Sequence, residues 1–93
     1  MNAEKKKRFL KWYKLSISLN SNYHGKIEEC QNGYTIYMYK FEDFIDILNL
    51  LNQMATQFNV GYWYEEDPNK ITDYQITVID FDESFQERST QYI

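Results

Sequence analysis

The chain has 93 residues, a formal net charge of −4 at pH 7, 43% hydrophobic residues and 18% aromatic residues. A chain of this length forms one domain with one modest core, and no run of it has the length and apolarity of a transmembrane helix. The single cysteine excludes an internal disulfide and is typical of a protein of the reducing cytoplasm.

The charges are divided unevenly along the chain. Residues 1–14 hold six basic residues against one acidic residue, whereas residues 65–87 hold eight acidic residues against Lys70 alone. The opening MNAEKKKRFLKWYK is basic, but no apolar segment of the length found in a secretory signal follows it. This asymmetry concerns partners and solubility rather than fold.

The first 14 residues are predicted to form a basic helix capped by Asn2, with Phe9, Leu10, Trp12 and Tyr13 on its apolar side. Residues 14–19 then alternate between apolar and polar side chains, which predicts a half-buried strand with Leu15, Ile17 and Leu19 on one face.

Two further strands are predicted at residues 26–31 and 34–39, with Tyr34, Ile36 and Met38 facing the core. Asn32-Gly33 between them is a strong hairpin signal, because a type I′ turn needs positive φ at both central positions.

Residues 41–58 carry the clearest helical period in the chain, with apolar residues at i, i+3, i+4 and i+7 intervals. The acidic residues Glu42, Asp43 and Asp46 are assigned to the opposite, polar side. Asn59 or Gly61 is expected to end this helix in a left-handed conformation.

Strands at residues 60–66 and 73–81 follow, separated by a turn that contains Pro68, and residues 82–93 are expected to form a polar tail. The predicted order is therefore α-βββ-α-ββ. We expect a single α+β domain in which an antiparallel sheet of about five strands packs on one long helix.

The sequence gives no sign of an enzyme, a metal site or a cofactor site. His24 has no nucleophile at a recognisable spacing, and one histidine plus one cysteine fall short of the ligands of a structural zinc site. The three glycines are too far apart to form a phosphate-binding loop.

Two opposite binding surfaces remain as hypotheses. The basic opening interleaves lysines with aromatic residues, which favours contact with nucleic acid, including base stacking. Its candidate residues are Lys5, Lys6, Lys7, Arg8 and Lys11. The acidic part favours a basic protein groove, with aromatic side chains as anchors. Its candidate residues are Glu65, Glu66, Asp67, Asp73, Asp80, Asp82, Tyr62, Trp63 and Tyr64.

In overall character the chain resembles small acidic phage-encoded anti-CRISPR proteins. The matching features are the charged opening MNAEKKKRF, the Asn-Gly hairpin, the helix DFIDILNLLNQMATQF and the acidic segment YEEDPNKITDYQ. The resemblance implies a non-enzymatic inhibitor that occupies the DNA-reading site of a host nuclease from within the host cytoplasm. The basic opening departs from an all-acidic DNA mimic and leaves room for a contact with nucleic acid.

Two other functions stay open. An antitoxin or immunity protein that neutralises a basic toxin would use the same acidic surface. A small nucleic-acid-binding regulator would use the basic opening. The strand order and the oligomeric state do not follow from the sequence, since an exposed sheet edge can pair with a second copy.

Overall fold

The computed structural model describes residues 1–65 and 74–81, and of Glu65 it describes the backbone alone. Two helices and four strands follow one another along these residues. They are α1 (Ala3–Ile17), β1 (Lys26–Glu29), β2 (Gly33–Met38), α2 (Phe41–Phe58), β3 (Val60–Glu65) and β4 (Tyr74–Asp80). The α+β class is confirmed.

The four strands form one sheet in the order β1-β2-β4-β3, and all three neighbouring pairs are antiparallel. Both helices pack on the same face of this sheet. Their buried side chains meet those of the strands in a single core, whose members are Phe9, Tyr13, Tyr34, Ile36, Met38, Phe44, Ile47, Leu51, Val60, Ile76 and Val78. Tyr34, Ile36 and Met38 face the core as predicted.

The strand predicted at residues 14–19 is wrong, because α1 continues through Ile17. Phe9, Tyr13 and Ile17 are spaced at i, i+4 and i+8, so one helix face carries all three toward the core. Leu15 and Leu19, which the strand would have buried beside Ile17, are 61% and 89% exposed. The described residues therefore form four strands in the order α-ββ-α-ββ, and two helices rather than one cover the sheet.

The hairpin between β1 and β2 is confirmed, but the type I′ turn is wrong. The Cys30 N–H donates to the Gly33 carbonyl at 2.9 Å, so Gln31 and Asn32 form the turn. Neither Asn32 nor Gly33 has a positive φ. Gly33 is required for a different reason, since a Cβ at this position would lie 2.0 Å from the Val78 carbonyl oxygen of β4.

Helix α2 begins and ends where the periodicity predicts. Asn59 has φ 52°, the left-handed conformation expected at this end. Asp43 departs from the prediction, since it is 3% exposed rather than on the polar side. It lies in the same helical row as Ile47 and Leu51, at i, i+4 and i+8, and that row faces the core.

The turn predicted between β3 and β4 and the tail predicted at 82–93 lie outside the described residues. The antiparallel pairing of β3 with β4 agrees with the hairpin expected there.

Candidate functional site

Ion pairs and hydrogen bonds from the N-terminal amine and Lys5 attach the start of α1 to the end of β4 and to the residues around it. The N-terminal amine donates to the Asn32 carbonyl at 2.6 Å and lies 3.2 Å from Asp80 Oδ2. Lys5 Nζ donates to Asp80 Oδ1 and to the Asn59 carbonyl, the latter at 2.9 Å. Asp80, a candidate for partner binding, thus forms ion pairs within the chain.

These pairs change how Asp80 titrates. Burial by itself raises its pKa, but the hydrogen bonds from Lys5 and from the N-terminal amine outweigh burial. The pKa of Asp80 is therefore held below its ordinary value, and the carboxylate stays ionised next to its two cations.

Lys6 is engaged by the β1–β2 hairpin. Its Nζ donates to Glu29 Oε2 at 2.8 Å and to the carbonyls of Cys30 and Gln31. The hydrogen bond with Glu29 raises the pKa of Lys6. Lys5 and Lys6, two of the predicted nucleic-acid contacts, therefore attach α1 to the domain.

The remaining cations of α1 point to solvent. Lys7, Arg8, Lys11 and Lys14, which we call the basic face, are all exposed. None of the four makes a hydrogen bond or an ion pair through its side chain within residues 1–65 and 74–81. Together with Leu10 and Leu15, the three lysines line a shallow depression of about 340 Å³. Lys7, Arg8 and Lys11 were candidates from the sequence, whereas Lys14 was not in the predicted set.

The aromatic residues of α1 point the other way. Phe9 and Tyr13 are buried, and Phe9 stacks on Tyr34 with ring centroids 5.6 Å apart. The half-buried Trp12 ring lies 5.3 Å from Phe9 and 5.6 Å from Phe58. The rings interleaved with the lysines in the sequence thus belong to the core rather than to the basic face.

The three aromatic candidates of β3 lie on two faces of the sheet. Tyr62 and Tyr64 pair with Val78 and Ile76 on the helix-covered face, whereas Trp63 lies on the opposite face. Burial raises the pKa of Tyr62, and Tyr64 is 42% exposed.

Of the acidic candidates, the structure places only Asp80 in full. The backbone of Glu65 pairs with Gln75 at the end of β3. Glu66, Asp67, Asp73 and Asp82 lie outside the described residues.

A polar cluster that was not predicted from the sequence lies at the start of α2, away from Asp80. The buried Asp43 carboxylate accepts a hydrogen bond from the His24 backbone N–H at 3.3 Å. The hydroxyl groups of Tyr13 and Tyr23 are 2.6 Å apart. Burial raises the pKa of both tyrosines, and the charge of Asp43 adds to this rise. The helical row of Asp43 was the signal in the sequence that could have revealed its burial.

This polar cluster fixes the connection between α1 and β1. The Asn20 side chain also donates to Asp46 Oδ2 of α2, at 2.8 Å. His24 contributes its backbone N–H, and its side chain is exposed. The cluster holds the loop against the first turns of α2.

In the part of the chain that the structure describes, no helix combines the length and the apolar character needed to cross a membrane. Nor do residues 1–65 and 74–81 bring together three or more histidine, cysteine, aspartate or glutamate side chains that could hold a metal ion.

Comparison with known proteins adds no relative. No protein-family model matches the chain, and no match was found among curated proteins or solved structures. A function has to be argued from the residues themselves.

Proposed function

We propose that this protein is a non-enzymatic nucleic-acid-binding protein that contacts the phosphate backbone through the basic face of α1. The observation that carries the proposal is the division of the α1 cations into two groups. Lys5 and Lys6 bind groups within the chain, whereas the four cations of the basic face bind none in the described part. Four adjacent positive charges that form no ion pair within residues 1–65 and 74–81 favour the binding of an anionic partner.

The way α1 is attached supports this function. Its first turn is bound to Asp80 and Asn59, and Phe9 and Tyr13 are buried below it. The basic face therefore belongs to a helix whose position is fixed before binding. A fixed array of charges loses less conformational entropy on binding than a disordered tail does.

The distribution of charge over the molecule also fits. The chain as a whole has a net charge of −4. A polyanion is therefore attracted to the basic helix and repelled by the negatively charged remainder of the chain. Binding is expected to be weak and strongly dependent on salt, because few cations contribute.

The test is fluorescence anisotropy of a labelled DNA at low salt. The triple variant K7Q/K11Q/K14Q should weaken binding at least about tenfold, because three phosphate contacts are lost. The double variant K26Q/K40Q is the control, since it removes two exposed lysines of other elements and should leave affinity nearly unchanged. An equal loss per charge removed in the two variants would show that net charge alone matters, and no binding of the wild type at low salt would reject the proposal.

A second candidate is the inhibition of a host defence nuclease, in the manner of an anti-CRISPR protein, or of a basic toxin in the manner of an immunity protein. It is favoured by the eight acidic residues in residues 65–87 and by the position of β3 at an edge of the sheet, where Tyr64 is 42% exposed. Acidic residues that follow an exposed aromatic ring in the sequence suit a basic protein groove.

Charge reversal of Glu65, Glu66 and Asp67 to lysine tests this second candidate. The variant should lose retention of a protein partner captured from a nuclease-treated bacterial lysate, while its thermal midpoint stays nearly the same. Unchanged retention of that partner would exclude this surface, and K7Q/K11Q/K14Q serves as the reciprocal control.

A further inference from the structure

The lysines of the basic face are arranged in a line along α1. Lys7, Lys11 and Lys14 are spaced at i, i+4 and i+7, so they lie on one side of the helix. Seven residues of α-helix advance about 10.5 Å along the axis. One strand of a DNA duplex presents about three phosphates over this length of its axis. Three lysines in line therefore match a regular row of phosphates in number.

The aromatic side chains of the same helix pack in or against the core rather than on the lysine row. Proteins that bind single strands combine cations with exposed aromatic side chains. Here Phe9 and Tyr13 are buried, and Trp12 packs between Phe9 and Phe58. The uncharged side chains that line the depression with the three lysines are Leu10 and Leu15, which neither stack on bases nor form hydrogen bonds with them.

The mode of binding follows from these two observations. Side chains that contact phosphate fix the position of a protein on a duplex but carry no direct sequence information. The amide side chain of Asn2, which could have met a base edge, accepts a hydrogen bond from the Lys5 backbone N–H at 2.8 Å as the helix cap.

We infer that the basic face binds the phosphate backbone of a DNA duplex, in preference to single strands and without selecting a base sequence. This inference rests on the proposed nucleic-acid binding and specifies its ligand. The four cations of the basic face make the phosphate contacts, with Lys7, Lys11 and Lys14 in line and Arg8 beside them, and the apolar core side of α1 holds the helix in place.

The experiment uses the full chain and two labelled duplexes of about 20 base pairs with unrelated sequences, together with one single strand of each. Affinity is measured by anisotropy between about 20 and 200 mM salt. We expect the two duplexes to bind within about twofold of each other, and each to bind more tightly than its single strand. Four phosphate contacts predict a slope of log K against log salt of about −3.6.

Single substitutions then assign the contacts. K11Q should reduce the magnitude of that slope by about 0.9, the value for one phosphate contact. The matched control K40Q changes an exposed lysine next to α2 and should leave the slope unaltered.

The outcomes separate the two proposals. Tighter binding of single strands, a strong preference for one duplex sequence, or a slope that K11Q leaves unaltered would overturn the inference while leaving nucleic-acid binding intact. Absence of binding to every probe at the lowest salt would reject the proposed function, and the inference with it.

Discussion

The backbone of β4 leaves no space for a side chain at position 33, which explains why this residue is glycine. Gly33 pairs with Ile79 of β4, and a Cβ added to it would lie 2.0 Å from the Val78 carbonyl oxygen. That oxygen belongs to a central strand and cannot move without disturbing the ladder. The need for glycine here is thus a matter of space, since its φ is not positive.

The substitution G33A should therefore destabilise the protein by about 1–3 kcal/mol, the usual cost of forcing an extra carbon into a packed site. Urea denaturation measures this loss in the free energy of unfolding.

Gly25 provides the comparison, because a Cβ there would meet the side chain of Tyr23 rather than a backbone atom. The Tyr23 side chain can rotate away at the cost of its hydrogen bond with Tyr13, about 1 kcal/mol, whereas the β4 backbone cannot yield, so G25A should cost less than G33A. Equal losses in the two variants would contradict the role assigned to the β4 backbone.

At the scale of an element, the two helices begin differently. In α1 the Asn2 side chain accepts a hydrogen bond from the Lys5 backbone N–H. In α2 the capping position is held by Lys40, which has extended backbone angles but forms no side-chain cap. Its positive charge also lies at the positive end of the helix dipole. Helix α2 is consequently stabilised by its buried face rather than by its cap.

The substitution K40S should stabilise the protein by about 1 kcal/mol, because a serine hydroxyl can accept a hydrogen bond from the first turn of α2. Differential scanning calorimetry would show a higher thermal midpoint.

The control is K40A, which removes the lysine charge without supplying an acceptor. A gain in K40A as large as in K40S would assign the effect to charge rather than to capping.

At the scale of the whole molecule, Asp80 joins parts of the chain that are far apart in sequence. Its carboxylate lies at the end of β4, next to the N-terminal amine and Lys5, and Lys5 also binds the last turn of α2 through Asn59. Helix α1, helix α2 and the sheet thus meet at this carboxylate.

The stability of the protein should depend on the ionisation of Asp80. Its pKa is lower in the folded chain than the ordinary value of 3.8, so its contribution is present above that value and is lost as the pH falls through the lower folded value. The substitution D80N should cost about 2 kcal/mol at neutral pH, because it leaves two cations without their counterion. The difference between D80N and the wild type should shrink as the pH falls below the ordinary value of 3.8.

Urea denaturation at neutral pH and at the lowest pH at which the wild type stays folded tests this dependence. The control E28Q removes a carboxylate that pairs with Lys26 on the surface, where both side chains are more than half exposed. Such a pair contributes little to stability. A loss in D80N that is the same at both pH values would contradict the electrostatic role of Asp80.

The amino-acid sequence by itself determined the features that depend on neighbouring residues. The period of residues 41–58 defines α2 and its end at Asn59, and the alternation in residues 34–38 identifies the core face of β2. The helical pattern is long and the strand pattern alternates regularly, so in each case only one type of secondary structure places the predicted core residues on one face. The α+β class followed from the order of these elements.

Only the tertiary structure decided the rest. Alternating Leu15, Ile17 and Leu19 fit a strand as well as a helix, and the packing of Phe9, Tyr13 and Ile17 on the sheet selected the helix. The same packing placed the α1 aromatic rings inside and the basic face outside. Contacts across the chain, from Lys5 to Asp80 and from Lys6 to Glu29, then separated the structural lysines from the exposed ones. Such contacts join residues 75 and 23 positions apart, a separation that local periodicity does not encode.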